Sequence, residues 1–241
     1  MKSLDSLYNG NCISYTLTNS ACLRTVVLWI YIDGRRSSST KSAQLPYSSW
    51  LSDAMTAPTP VSALLHAATL VTAGMFLLLR SGNVLANYFQ LNHIIFSIAA
   101  LTALISGLTA VFQSDIKKLV AYSTTSQLGY ICLGCGLGNY SAAVFHLFTH
   151  AFFKGLLFLS SGVVIHSIDG VLKTYRLGGL NKLLSIGHGL MVSGSLALVG
   201  LPFLAGFYSK ELIIICTFSS YLWSDQFLGY IINTGHGLTV L

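Results

Sequence analysis

From residue 61 onward the chain alternates long apolar runs with short polar joints. Residues 61–79 form the first run, which carries His66 and is stopped by Arg80. Residues 94–112 form the second and give way to QSDIKK. The third, 119–138, contains a polar stripe of Ser123, Thr124, Thr125, Ser126 and Gln127. The fourth, 142–166, reads AAVFHLFTHAFFKGLLFLSSGVVIH. A fifth begins near Gly189, meets Pro202 and Gly206, and resumes as FYSKELIIICTF. About 20 apolar residues carry a helix across a bilayer, so these runs predict spanning helices. Residues 223–241 are less apolar and predict a partial span.

The first sixty residues are less regular. Residues 1–20 are polar and lack the charged start, apolar centre and small-residue cleavage site of a signal peptide. Residues 21–32 are apolar but too short to span, and Arg24 interrupts them. The next eight, DGRRSSST, read as a loop. Lys41 then opens KSAQLPYSSWLSDAMTAPTP, where Pro46, Pro58 and Pro60 forbid a continuous helix. A broken helix beside a lysine is one way to expose backbone and charge at depth, where protein or water covers both. An interfacial loop fits the same residues. The second break, at Pro202–Gly206, again lies beside charge, here Lys210 and Glu211. The resulting division is a divergent segment 1–40, a transmembrane domain 41–222 and a C-terminal partial span 223–241.

Composition agrees with this pattern. The 241 residues are 53% hydrophobic and 8% charged, against about 25% charged in soluble domains. Mean hydropathy is +0.68. The fold class is therefore all-α, a polytopic transmembrane helical bundle with two interrupted helices. The net charge of +6 belongs to loops that orient the chain in the membrane, not to nucleic-acid binding. Alternating the spans puts Lys117, Lys118, Lys173, Arg176 and Lys182 at one end and Arg80 alone at the other. The basic end is the cytoplasmic or matrix side. Cys132 and Cys135 make a C-x-x-C inside an apolar run without a second pair, which suits helix packing better than metal.

The fourth run carries the candidate chemistry. His146, His150 and Lys154 recur at every fourth residue and share one helix face. A lysine near the middle of a membrane helix costs roughly 2.5–3.5 kcal/mol on insertion scales, so it must face protein or a water-filled cavity. Imidazoles titrate near neutrality, and this face can pass protons. A buried ion pair that only fixes packing is the alternative for Lys154, and a satisfied core histidine is the alternative for His66 and His146. Two histidines four apart can also hold zinc, but no carboxylate lies on that helix. Phosphate loops, H-E-x-x-H and G-x-S-x-G motifs do not occur.

The stretches SAQLPYSSWLSDAMTAPTPVSALLHAATLVTAG, FQSDIKKLVAYSTTSQLGY, HLFTHAFFKGLLFLSSGVVIH and GLPFLAGFYSKELI closely resemble the antiporter-like membrane subunits of respiratory complex I, the NADH:ubiquinone oxidoreductase. The family also includes subunits of multi-subunit sodium/proton antiporters and membrane-bound hydrogenases. The resemblance covers roughly residues 41–218. It implies that Lys41 is the channel lysine paired in the family with a glutamate on an earlier helix, and that His66 links it to the central axis. It makes His146, His150 and Lys154 the central relay and Lys210 the exit-side lysine. Glu211 replaces the aspartate usual after that lysine and keeps the carboxylate. Asp115, Lys117 and Lys118 match a charged patch at the matrix-side end of a helix. Ser123, Thr124, Thr125 and Ser126 are candidates to line water.

The family's members have about fourteen or more spans, more than this sequence predicts, and the segments 21–40 and 170–175 diverge. The resemblance implies a membrane-arm subunit contributing part of a proton channel in the mitochondrial inner membrane. A second chain would supply the N-terminal half and set an acid against Lys41. Other membrane-arm subunits and lipids are the further partners, with no nucleic acid. NADH, FMN, iron–sulfur clusters and ubiquinone are expected on partner subunits, with no cofactor or metal on this chain. A cation/proton antiporter subunit and a non-conducting structural module of the arm are the rival readings. Quinone-reductase partners select the first, antiporter partners alone the second, and pumping that survives loss of Lys154 the third.

Overall fold

The computed structural model describes residues 33–34, 36–82 and 89–219, with the side chains of residues 66–68 and 89–90 left aside. The chain divides into two compact units, residues 1–37 and 38–241. In the first, Arg36 and Asp33 form an exposed ion pair 3.9 Å long, one helical turn apart. The partial span expected over 223–241 and the short apolar stretch 21–32 lie outside the described residues.

Six main helices make up the described part of the second unit: α1 (Thr59–Arg80), α2 (Phe89–Val111), α3 (Ile116–Gly136), α4 (Tyr140–Ser167), α5 (Ser185–Val199) and α6 (Ala205–Phe218). Spans within α1, α2 and α4 are long and apolar enough to cross a membrane. Helix α3 is as long but far more polar, and its position explains why. Residues 124–135 are buried without interruption, so α3 sits inside the bundle and its polar side chains meet protein, not lipid. Helix α2 lies tightly along it. A Cβ on Gly129 would stand 3.0 Å from the Ala103 nitrogen, and one on Gly136 would stand 3.0 Å from the Phe96 backbone. Small residues at such contacts let two helix backbones approach in a membrane.

The joints close the bundle at each end. Ile116 N–H donates to the Leu172 carbonyl at 3.0 Å and Thr174 N–H to Ser114 at 2.8 Å. These bonds tie the α2–α3 and α4–α5 connections together, so Lys117, Lys118, Lys173, Arg176 and Lys182 gather at one end. At the other, the Tyr140 hydroxyl donates to Gly82 O at 3.0 Å, two residues beyond Arg80. Asn139 caps α4 by accepting from Ala142 N–H at 3.2 Å, while its amide donates to Cys216 Sγ of α6 at 3.0 Å.

The segment expected to be a loop over 33–40 is helical where described, and in the second unit residues 38–41 are helical up to Lys41. Serine is a weak helix former, but tertiary packing overrides that preference. This helix end lies on Gly74 of α1, where a Cβ would meet Ser42 N at 3.2 Å and Lys41 Cβ at 3.3 Å. Beyond it the prolines act as expected. The chain turns through residues 42–48, forms the short helix Ser49–Asp53 and the 3-10 turn Ala54–Thr56, and starts α1 at Thr59 with Pro60 in the first turn. A missing N–H costs nothing there, because the first turn has no intrahelical acceptor for it. Within α1, Ser62–Thr69 is π-helical.

Helices α5 and α6, 15 and 14 residues long, are each about 22 Å at 1.5 Å per residue, too short to cross about 30 Å of hydrocarbon. Together they make one interrupted span antiparallel to α4. Gly187 and Gly194 of α5 lie against Val163 and Leu157 in the second half of α4, and Ser209 of α6 lies against His146 in the first half. Gly200, at φ +85°, ends α5 in the left-handed conformation that glycine adopts without strain.

Candidate functional site

The interrupted span brings its break to the polar face of α4. Lys154, His150 and His146 are all buried there, at 0%, 0% and 1% exposure, and Lys210 of α6 is 2% exposed. Ionisable groups buried in this way in a helical membrane protein face the interior of the bundle, away from lipid.

Lys154 Nζ donates to Ser123 Oγ of α3 at 2.6 Å. His146 lies two turns earlier, between Gln127 Oε1 of α3 at 3.2 Å from its Nε2 and Ser209 Oγ of α6 at 3.0 Å from its Nδ1. Ser123 and Gln127 are one turn apart on α3, so they meet one turn-spaced face of α4. The other hydroxyls of the expected water-lining stripe turn back on their own helix. Thr125 donates to Ala121 O at 3.3 Å and Ser126 to Ser123 O at 2.8 Å. His150 stands between the two anchored residues, its ring centroid 6.3 Å from that of His146. Both its nitrogens lack a hydrogen-bond partner among the described residues, and Phe153 meets it edge-on at 5.4 Å.

Lys210 projects from α6 onto the end of α5. Its Nζ donates to the carbonyls of Leu198 at 3.3 Å and Val199 at 3.2 Å. The last carbonyls of a helix lack intrahelical donors and carry the negative end of the helix dipole, so an ammonium satisfies both. The Tyr130 ring lies 5.8 Å from the same nitrogen and offers its electron-rich face. Gly206 makes the arrangement possible: a Cβ there would collide with the Ala197 carbonyl.

The remaining candidates fall elsewhere. Lys41, at the first break, is exposed and has no hydrogen bond or ion pair among the described residues. Glu211 is half-buried and equally without an ion pair among them. His66 lies in the π-helical part of α1, with its side chain outside the described residues. The expected charged patch separates. Asp115 occupies the N-cap position of α3 without a side-chain cap. Lys117 turns inward to the Ala57 carbonyl at 3.1 Å, and Lys118 is exposed. No metal-holding cluster of His, Cys, Asp or Glu occurs among the described residues. Sequence reasoning had no role for Ser209 or Thr149, although Ser209 sits beside Lys210. The sequence pattern puts Gln127 only in the stripe, and its four-residue spacing from Ser123 is the clue it offers.

A helical membrane bundle with a broken span, whose lysine caps one half-helix beside a file of histidines and a second lysine, has the architecture of an antiporter-like membrane subunit. The chain belongs to the NADH:quinone oxidoreductase/Mrp antiporter transmembrane family, whose model matches residues 18–234. NADH-ubiquinone oxidoreductase chain 5 of Dictyostelium citrinum is 49% identical over 81% of the chain and 30% of the relative. The protein of the same name from Rhizopus stolonifer is 47% identical over 83% and 31%. Among solved structures, a chain of the Mrp complex from Dietzia sp. superposes with a TM-score of 0.80 at 34% identity, over 93% of this chain and 25% of that one. The chain thus spans about 30% of the length of the curated relatives it matches.

Proposed function

We propose that this chain is part of an antiporter-like membrane-arm subunit of respiratory complex I, in the mitochondrial inner membrane, and that it carries a segment of a proton path. The observation that carries this reading is the buried file Lys154–His150–His146, joined through Ser209 to the half-helix that bears Lys210. Coupled ionisable groups in a file titrate together, so a charge imposed at one end redistributes protons along it. Redox energy released by partner subunits, which hold NADH, FMN, iron–sulfur clusters and ubiquinone, supplies that charge. This chain contributes no redox step and serves the translocase as a conductor.

Lys41 has its own place in this reading. Its exposed ammonium, unpaired among the described residues, calls for a carboxylate from a helix of the preceding half of the antiporter-like unit, borne by a second chain. His66 would connect that pair to the central file.

The test is native purification from membranes with mass spectrometry of what stays bound. NADH-oxidising and quinone-binding subunits beside a fragment resembling the preceding half support the proposal. The chain alone, or with antiporter subunits only, overturns it. The likeness to the Mrp complex chain favours a second reading, a cation/proton antiporter subunit, which that second outcome selects. Replacing Lys154 with Met in the purified assembly separates both from a structural module, since only a module keeps pumping.

A further inference from the structure

The hydrogen-bond geometry around His146 points to a role for Ser209 that the file of lysines and histidines does not contain. We infer that the Ser209 hydroxyl is a two-position switch that lets His146 gain and release a proton at Nδ1 with every heavy atom in place. The inference deepens the proton-path reading above and rests on it.

Four buried groups carry the argument. Gln127 Oε1 is an acceptor, so the His146 Nε2 that faces it at 3.2 Å holds a hydrogen. In the neutral ring Nδ1 is then the bare nitrogen and accepts from Ser209 Oγ at 3.0 Å. Ser209 in turn accepts from Thr149 Oγ1 at 3.0 Å. The hydrogens run in one direction, from Thr149 through Ser209 and His146 to Gln127.

The charged ring is provided for as well. An imidazolium donates from both nitrogens, and Ser209 must then turn its own hydrogen away from Nδ1. A second acceptor is already present, since the carbonyls of Ala205 and Gly206, one turn back on α6, lie 3.2 and 3.4 Å from Ser209 Oγ. Thr149 also has an alternative in the His146 carbonyl at 3.1 Å. Each hydrogen therefore has an acceptor in both charge states. Leaving a buried polar group unpaired costs about 1–3 kcal/mol, and this site avoids that cost on either side of the transfer. The contrast with its neighbours is plain: among the described residues, the His150 nitrogens have no hydrogen-bond partner and Lys154 donates to Ser123.

The step balances. A proton carried by water reaches Ser209 Oγ and bonds there, while the original Oγ–H bond breaks and a new N–H bond forms at Nδ1. Neutral water is left behind, and the new hydroxyl hydrogen rests on Ala205 O. Release runs the same steps backward. Ser209 thus relays the proton to the basic nitrogen of His146, which lies on the side of α6 and Lys210. The charged and titratable groups around it are His150 and Lys154 on α4 and Lys210 on α6.

Solid-state NMR on the purified assembly, with ring-nitrogen-labelled histidine and the His146 signals assigned by their loss in His146→Gln, reads the tautomer directly. A neutral ring protonated at Nε2 and bare at Nδ1 is the expected result; the opposite tautomer overturns the inference. Ser209→Ala should shift the Nδ1 signal to that of a nitrogen without a donor. It should also lower proton uptake into vesicles, per NADH oxidised, to the level of His146→Gln. Unchanged uptake in Ser209→Ala, with His146→Gln impaired, refutes the switch. Unchanged uptake in His146→Gln itself refutes the proton-path reading, and the tautomer then decides the switch alone.

Discussion

The two breaks in this protein share a sequence pattern, a lysine near a proline, and the fold uses them in opposite ways. At the second break Lys210 turns inward and caps α5 through the Leu198 and Val199 carbonyls. At the first, the carbonyls are met without the lysine. Trp50 Nε1 donates to Thr40 O at 2.8 Å, Ser42 Oγ to Ser38 O at 2.7 Å, and Gln44 N–H to Ser39 O at 3.0 Å. Thr102 of α2 anchors the turn by donating to Gln44 Oε1 at 2.6 Å. Lys41 is left exposed. One lysine is therefore part of the internal architecture, and the other makes no ion pair among the described residues.

The sharpest way to break the comparison is to close the second break to its lysine. Gly206→Ala places a methyl against the Ala197 backbone carbonyl, which neither helix can yield without separating. Overpacking of this kind costs about 3 kcal/mol. The chain should fail to accumulate in membranes, as measured by immunoblot of the assembled complex. Next is the lysine itself. Lys210→Met leaves two half-buried carbonyls without their donor at a cost of about 2 kcal/mol, and thermal unfolding in detergent should record it. Lys41→Met should leave that unfolding unchanged while weakening retention of partner chains on native gels. Equal losses from both substitutions would remove the distinction between the breaks.

Lys154 sharpens the contrast between stability and transport. Its amine makes one hydrogen bond, and replacing an isolated buried charge by an apolar side chain is neutral or stabilising by about 1 kcal/mol. Lys154→Met should therefore raise or keep the unfolding temperature while proton uptake falls. A local effect is expected at the first break. Thr102→Val removes one anchor of the turn, a loss of about 1 kcal/mol, visible as faster proteolysis between Lys41 and Trp50.

Much of this was legible in the residues. Apolar runs of spanning length gave the helices to within a few residues, because burial of a helix in lipid demands an unbroken apolar sequence and tolerates little else. Prolines marked the first break and Pro202 with Gly206 the second. The four-residue spacing of His146, His150 and Lys154 placed them on one face. The helical turn over 38–41 was not legible, since its serines and threonine have weak propensity and its conformation follows from packing on Gly74. Nor did the run Asp115, Lys117, Lys118 reveal that Lys117 turns inward and Lys118 outward.

The sequence by itself determined the membrane class, the helix order and the residues carrying charge at depth, because these depend on local composition and period. Only the tertiary structure decided which lysine caps a helix and which stays exposed, and which nitrogen of His146 faces Gln127 and which faces Ser209. Those outcomes depend on distances of about 3 Å between residues up to 63 positions apart, and no local pattern encodes such a contact. They arise when α3, α4 and α6 pack and buried polar groups must find partners among whatever the packing brings near.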